Sequence, residues 1–125
     1  MKQSLFSQIG IEVIREAVTL FYQKAFSDPI IGHFFFHQEK EELIRKQTDF
    51  ICKMLGGPAS AYRGKPMKIA HAKLPLTQVH FNRRQVLMKE VLDTLAIDES
   101  VKTAWLAHEE KLRSLVINSQ HHCKN

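Results

Sequence analysis

The stretch Leu43-Ile44-Arg45-Lys46-Gln47-Thr48-Asp49-Phe50, with Leu55-Gly56-Gly57-Pro58, Tyr62-Arg63-Gly64 and Met67-Lys68-Ile69-Ala70-His71 after it, decides how this chain is read. Leu43, Gln47 and Phe50 are spaced i, i+4, i+7 and share one helix face, with Lys46 at its edge. The spacing predicts a helix over about 39–55, in which Ile51, Met54 and Leu55 continue the burial. Cys52 lies about 140° round from Gln47 and reads as a structural thiol. Gly56 and Gly57 supply a left-handed C-cap, and Pro58 prevents propagation. A glycine-bearing connection with Lys65-Pro66 then leads to His71, on a short helix that Pro75 closes.

Upstream, Leu5-Phe6-Ser7-Gln8-Ile9 reads as a clipped first helix ended by Gly10. Over 11–26, Ile14, Ala17, Val18, Phe21, Tyr22 and Ala25 recur at three- and four-residue spacing as one apolar stripe. Tyr22 is the polar exception on it, and a buried phenol needs a partner, whether a carbonyl, solvent or a ligand. Asp28-Pro29 stops this helix. Ile30 to Phe36 forms an apolar corner whose three consecutive aromatics cannot all face one way.

Downstream, Thr77 is placed to cap a helix running to about residue 96, with Val79, Val86, Leu87, Val91, Leu92 and Leu95 inward. Asp98 caps a last helix striped by Val101, Trp105, Leu112, Leu115 and Val116. The tail from Ser119 reads as frayed. No segment alternates as a strand does, and there are no repeats. The expectation is an all-α chain, one domain over 1–125, with helices crossed in two layers.

Composition narrows the function classes. A chain of 125 residues, 44% hydrophobic, buries enough surface for a core without staples. No apolar run nears the roughly 18 residues of a membrane span, and Arg15-Glu16 interrupt the only stretch resembling a leader. Cys52 and Cys123 are too few for a disulfide framework, so a reduced, cytoplasmic protein is expected. The net charge is +5, but 18 basic and 13 acidic residues are interspersed. That describes a solvated basic surface, and no nucleic-acid or membrane partner is expected.

Of the seven histidines, His121 and His122 stand beside Cys123 in the tail without distant partners, and His33 and His37 sit on a polar-flanked turn. His71 has no Cys, carboxylate or second His at chelating spacing near it. A metal held by one protein ligand takes its other ligands elsewhere, and a porphyrin supplies four in a plane.

The chain resembles the group I truncated haemoglobins, the short two-over-two globins. The resemblance rests on Phe21-Tyr22, Phe34-Phe35, Gln47 to Phe50, Leu55 to Pro58, Tyr62 to Gly64, Met67 to His71 and His80-Phe81, which follow the family's order. It covers roughly residues 5 to 117. One departure is Gly10-Ile11, where the family usually carries two glycines.

The resemblance implies a truncated globin fold, a two-over-two helical sandwich around haem. It makes His71 the proximal iron ligand, with its second ring nitrogen donating to a backbone carbonyl. His80 belongs to the family's His-Phe pair, which does not ligate iron. Opposite His71 it places Tyr22 and Gln47 as hydrogen-bond donors to a bound gas that gains negative charge, with Leu43 where many globins carry a polar residue. Phe35, at the corner, is expected to lie flat on the haem. Phe50, Ile51, Met67, Phe81 and Leu115 or Val116 would complete the pocket, though each is equally explicable as plain core. Arg63, Lys65 and Lys68 could pair with the propionates. Ser114 stands where some members carry a histidine that links the haem, so non-covalent haem b is expected. Lys46 occupies a place from which some members supply a sixth iron ligand; the alternative is that it reaches solvent or a propionate.

Three functions follow. The first is binding of dioxygen, carbon monoxide or nitric oxide, as in oxygen transport. The second is nitric oxide dioxygenation; no flavin or nicotinamide motif is present, so the reductase would be a separate protein. The third is a cofactor-free helical interaction module.

Overall fold

The structure, a computed structural model, describes residues 3–57 and 76–117. These form α1 (Leu5–Ile9), α2 (Ile11–Phe26), a 3₁₀ turn (Gly32–Phe35), α3 (Lys40–Met54), α4 (Gln78–Asp93), α5 (Glu99–Glu110) and α6 (Arg113–Val116). No strand occurs among the described residues. Helix α2 packs most extensively on α3, then on α4, and α4 packs on α5, so one pair of helices lies across the other.

The ends of these helices follow from local chemistry. Ser4 caps α1 by accepting the Ser7 N–H at 3.0 Å. Gly10, at φ 89°, turns the chain from α1 into α2 in a conformation that a side chain would strain. At the end of α3 the Gly57 N–H donates to the Cys52 carbonyl at 2.7 Å, with Gly56 at φ 98°. That is the left-handed stop expected from the glycine pair. The Phe6 N–H then donates to the Leu55 carbonyl at 2.8 Å, tying α1 to the same corner.

The expected stripe of α2 is all buried: Ile14, Ala17, Val18, Phe21, Tyr22 and Ala25. It meets Ile44, Thr48, Ile51, Cys52 and Leu55 of α3 and the loop after it, and Leu87, Met88, Val91 and Leu92 of α4. Trp105 of α5, fully buried, completes the core. Each large apolar side chain buried this way contributes about 1.5–3 kcal/mol.

Two polar devices fix the corner after α2. The Asp28 carboxylate accepts the Ile30 and Ile31 N–H groups at 3.0 and 3.1 Å through Oδ2. Its Oδ1 accepts from Arg83 of α4 at 2.8 Å, which holds the Asp28 carboxyl below the usual carboxylate range. Gly32 lies so close to α2 that a Cβ there would stand 2.8 Å from the Phe26 carbonyl oxygen.

Two expectations are corrected, and a third holds in position alone. Val79 and Val86 point outward, 62% and 45% exposed, while Phe81 and Met88 take the inward positions on α4. The last helix is broken at Lys111 and Leu112, and beyond the break Leu115 is 42% exposed. Asp98 occupies the cap of α5 without a side-chain bond; its carbonyl oxygen accepts the Val101 and Lys102 N–H groups.

Candidate functional site

Tyr22 is carried inward by α2 and is only 6% exposed. Its ring meets Phe35 edge-on, centroids 5.5 Å apart at 89°, and Phe21 at 5.2 Å and 76°. Phe35 stacks on Phe26 at 5.5 Å, and the Lys40 ammonium lies 5.1 Å from the Phe26 ring centre. Phe35 is thus held in an aromatic group at the corner, partly exposed. Among the described residues the Tyr22 hydroxyl has no hydrogen-bond partner. Burial pushes the phenol up to about 12; Arg84 opposes the shift and Glu109 adds to it. Tyr22 therefore stays protonated near neutral pH, with an O–H to donate.

Helix α3 presents Leu43, Gln47 and Phe50 as a half-buried face, while Ile51 is fully buried behind it. The Gln47 amide has no hydrogen-bond partner among the described residues. Beside it, Thr48 is 1% exposed, and its Oγ1 has no partner among the described residues. Lys46 turns outward: its side chain is 54% exposed and its Nζ lies 4.0 Å from Glu42. Phe81 is buried, with the Arg113 guanidinium 4.5 Å from its ring centre. His71, Met67, Arg63, Lys65 and Lys68 lie outside the described residues.

His80 performs a different task. The Thr77 N–H donates to its Nδ1 at 3.0 Å, so the imidazole caps α4 where Glu or Gln usually does. An accepting Nδ1 requires the neutral ring with its proton on Nε2. Burial, then the charge of His33, hold His80 below the ordinary histidine value. The two rings are 6.2 Å apart, with Phe34 4.9 Å from His80.

The sequence reading missed a buried charge cluster. Arg84 donates to both oxygens of Glu109, at 2.5 and 3.1 Å, and the Trp105 indole N–H donates to Oε2 at 2.9 Å. The available signal was an acid four residues after Trp105 on a buried stripe, matched by an arginine on the inward face of α4.

Half-covered apolar surface from Phe35, Leu43 and Phe50, with two polar groups lacking partners among the described residues, suits a flat and largely apolar cofactor approached by a small polar ligand. Crossed helix pairs with such a face define the globin class. The chain belongs to the bacterial-like globins, a haem-binding family whose model matches residues 4–118. It is 33% identical over 100 residues to the group 1 truncated haemoglobin of Tetrahymena pyriformis, covering 79% of this chain and 82% of that protein. The crystal structure of the Tetrahymena pyriformis truncated haemoglobin in its Fe(III) form superposes with a TM-score of 0.86 at 29% identity. That match covers 92% of this chain and 98% of the other. The truncated oxygen-avid haemoglobin of Bacillus subtilis matches with a TM-score of 0.80 at 26% identity, over 91% and 99% of the two chains.

Proposed function

We propose that this protein holds a non-covalent haem b through His71 and binds dioxygen, with Tyr22 and Gln47 as donors to the bound gas. The observation that carries the reading is the buried Tyr22 phenol, whose hydroxyl has no hydrogen-bond partner among the described residues. A bound acceptor would give that O–H a partner. Haem would supply an iron coordination position at which a diatomic ligand takes up electron density. Tyr22 then donates its O–H toward that density, Gln47 an amide N–H, while Leu43 and Phe50 exclude water. Phe35, braced by Phe26, keeps the Tyr22 ring in place. Ser114 is exposed and offers no imidazole for a covalent link. The oxygen-avid character of the Bacillus subtilis relative supports dioxygen as the ligand.

The test begins with protein expressed under ample haem supply. A Soret band that His71→Ala abolishes or displaces, and His80→Ala preserves, is the expected result. Colourless protein that cannot be reconstituted with haem refutes the reading.

A further inference from the structure

The Arg84–Glu109 pair is nearly dry, with side chains 19% and 1% exposed. Its two ends face different helices. The guanidinium carbon lies 5.1 Å from the ring centre of Phe21 on α2, and Phe21 is in edge contact with Tyr22. The carboxylate is held by the Trp105 indole on α5. Arg84 also donates to Gln85 at 2.7 Å, which fixes the guanidinium plane. The positive end of the pair is therefore the one laid against the helix that carries Tyr22.

A buried ion pair is weak evidence of a stabilising role, because well-packed apolar side chains in its place are often neutral or better. What apolar side chains cannot supply is a field. With little water to screen it, a fixed positive end strengthens a nearby phenol as a donor and lowers the energy of negative charge beside it.

We propose that the Arg84–Glu109 pair sets the electrostatic field at Tyr22, and through it favours ligands that carry negative charge when bound over neutral ones. Dioxygen and small anions such as azide belong to the first class, and carbon monoxide to the second. The inference rests on the reading of Tyr22 as a donor to the bound ligand. Arg84 is then a specificity-determining residue that acts through Tyr22.

Field and scaffold are separated by variants of opposite sign. Glu109→Gln leaves the cation without its counter-charge, whereas Arg84→Met combined with Glu109→Met removes both charges and keeps the volume. A difluorotyrosine incorporated at position 22 titrates in an accessible range and reports the field in the full chain, with or without haem. Glu109→Gln should lower its pKa by about half a unit or more, and the double variant should raise it by a similar amount. In haem-loaded protein, ferric azide affinity should rise about threefold or more in Glu109→Gln and fall comparably in the double variant, with carbon monoxide affinity nearly unchanged. The carbon monoxide stretch should move in opposite directions, and Arg84→Lys should behave like the parent. Shifts of the same sign in both variants, or none, overturn the proposal, as does a pKa response without an azide response. If Tyr22→Phe leaves dioxygen release unchanged, the donor reading fails on its own; the difluorotyrosine titration still decides whether the pair sets the field.

Discussion

Tyr22 is the residue on which both the sequence and the geometry converge. Its place on an apolar stripe was legible in the spacing, and its proposed role came from the resemblance. The absence of a hydroxyl partner among the described residues is a fact of the fold. Under the proposed function, Tyr22→Phe and Gln47→Leu should each speed dioxygen release about tenfold, with a smaller effect on carbon monoxide. The double variant should fall short of the product of the two, because both donors would share one acceptor. Stopped-flow release rates for both gases check this; equal effects on the two would point to sterics. Lys46 shows where reading by residue stops. Its position beside Gln47 was plain, but not that its side chain turns to solvent, with the ammonium 4.0 Å from Glu42. Only a neutral amine has a lone pair for iron. Should Lys46 ligate, a low-spin ferric species should be present in the parent and vanish in Lys46→Ala; a species that persists in the variant assigns the ligand elsewhere.

At the scale of elements, the limits of α2 and the glycine stop after α3 were predictable because caps and breakers are local. The inward face of α4 was not. Its apolar residues cover more than one side, and packing against α2 and α5 selects Phe81 and Met88 over Val79 and Val86. The same helix carries a titratable cap. Protonating His80 removes the acceptor for the Thr77 N–H, and the folded value lies below the ordinary 6.5. A base whose folded pKa is depressed contributes stability that is present above its unfolded value and lost as pH falls through the folded one. The parent should therefore lose stability through this cap as the pH falls below the ordinary histidine range. His80→Gln, which can still accept the Thr77 N–H, should lack that component. Urea midpoints across this range test the difference, and identical pH profiles would remove the cap from the account. Asp28 joins two elements at once, and neither Ile30 nor Arg83 advertises it by spacing. Asp28→Ala should destabilise the protein by about 1–3 kcal/mol by freeing two N–H groups and the Arg83 guanidinium.

For the whole molecule, seven short motifs in order were enough to suggest the family. What they could not show is how α2, α4 and α5 meet, because Arg84 stands 25 residues before Glu109 and neither is unusual in composition. Trp105 anchors that junction, and Trp105→Ala should cost about 3–5 kcal/mol, read as a lowered denaturation midpoint. Cys52 has a consequence of another kind. Its thiol is 1% exposed between α2 and α3, and burial pushes its pKa up. A thiol reagent reaches it only when those helices part, so its rate of labelling becomes a chemical clock for opening of the fold. With Cys123→Ser removing the second thiol, haem should slow the clock in proportion to how much more tightly it binds the closed form. The protein thus carries its own gauge of cofactor occupancy, readable by mass without any colour.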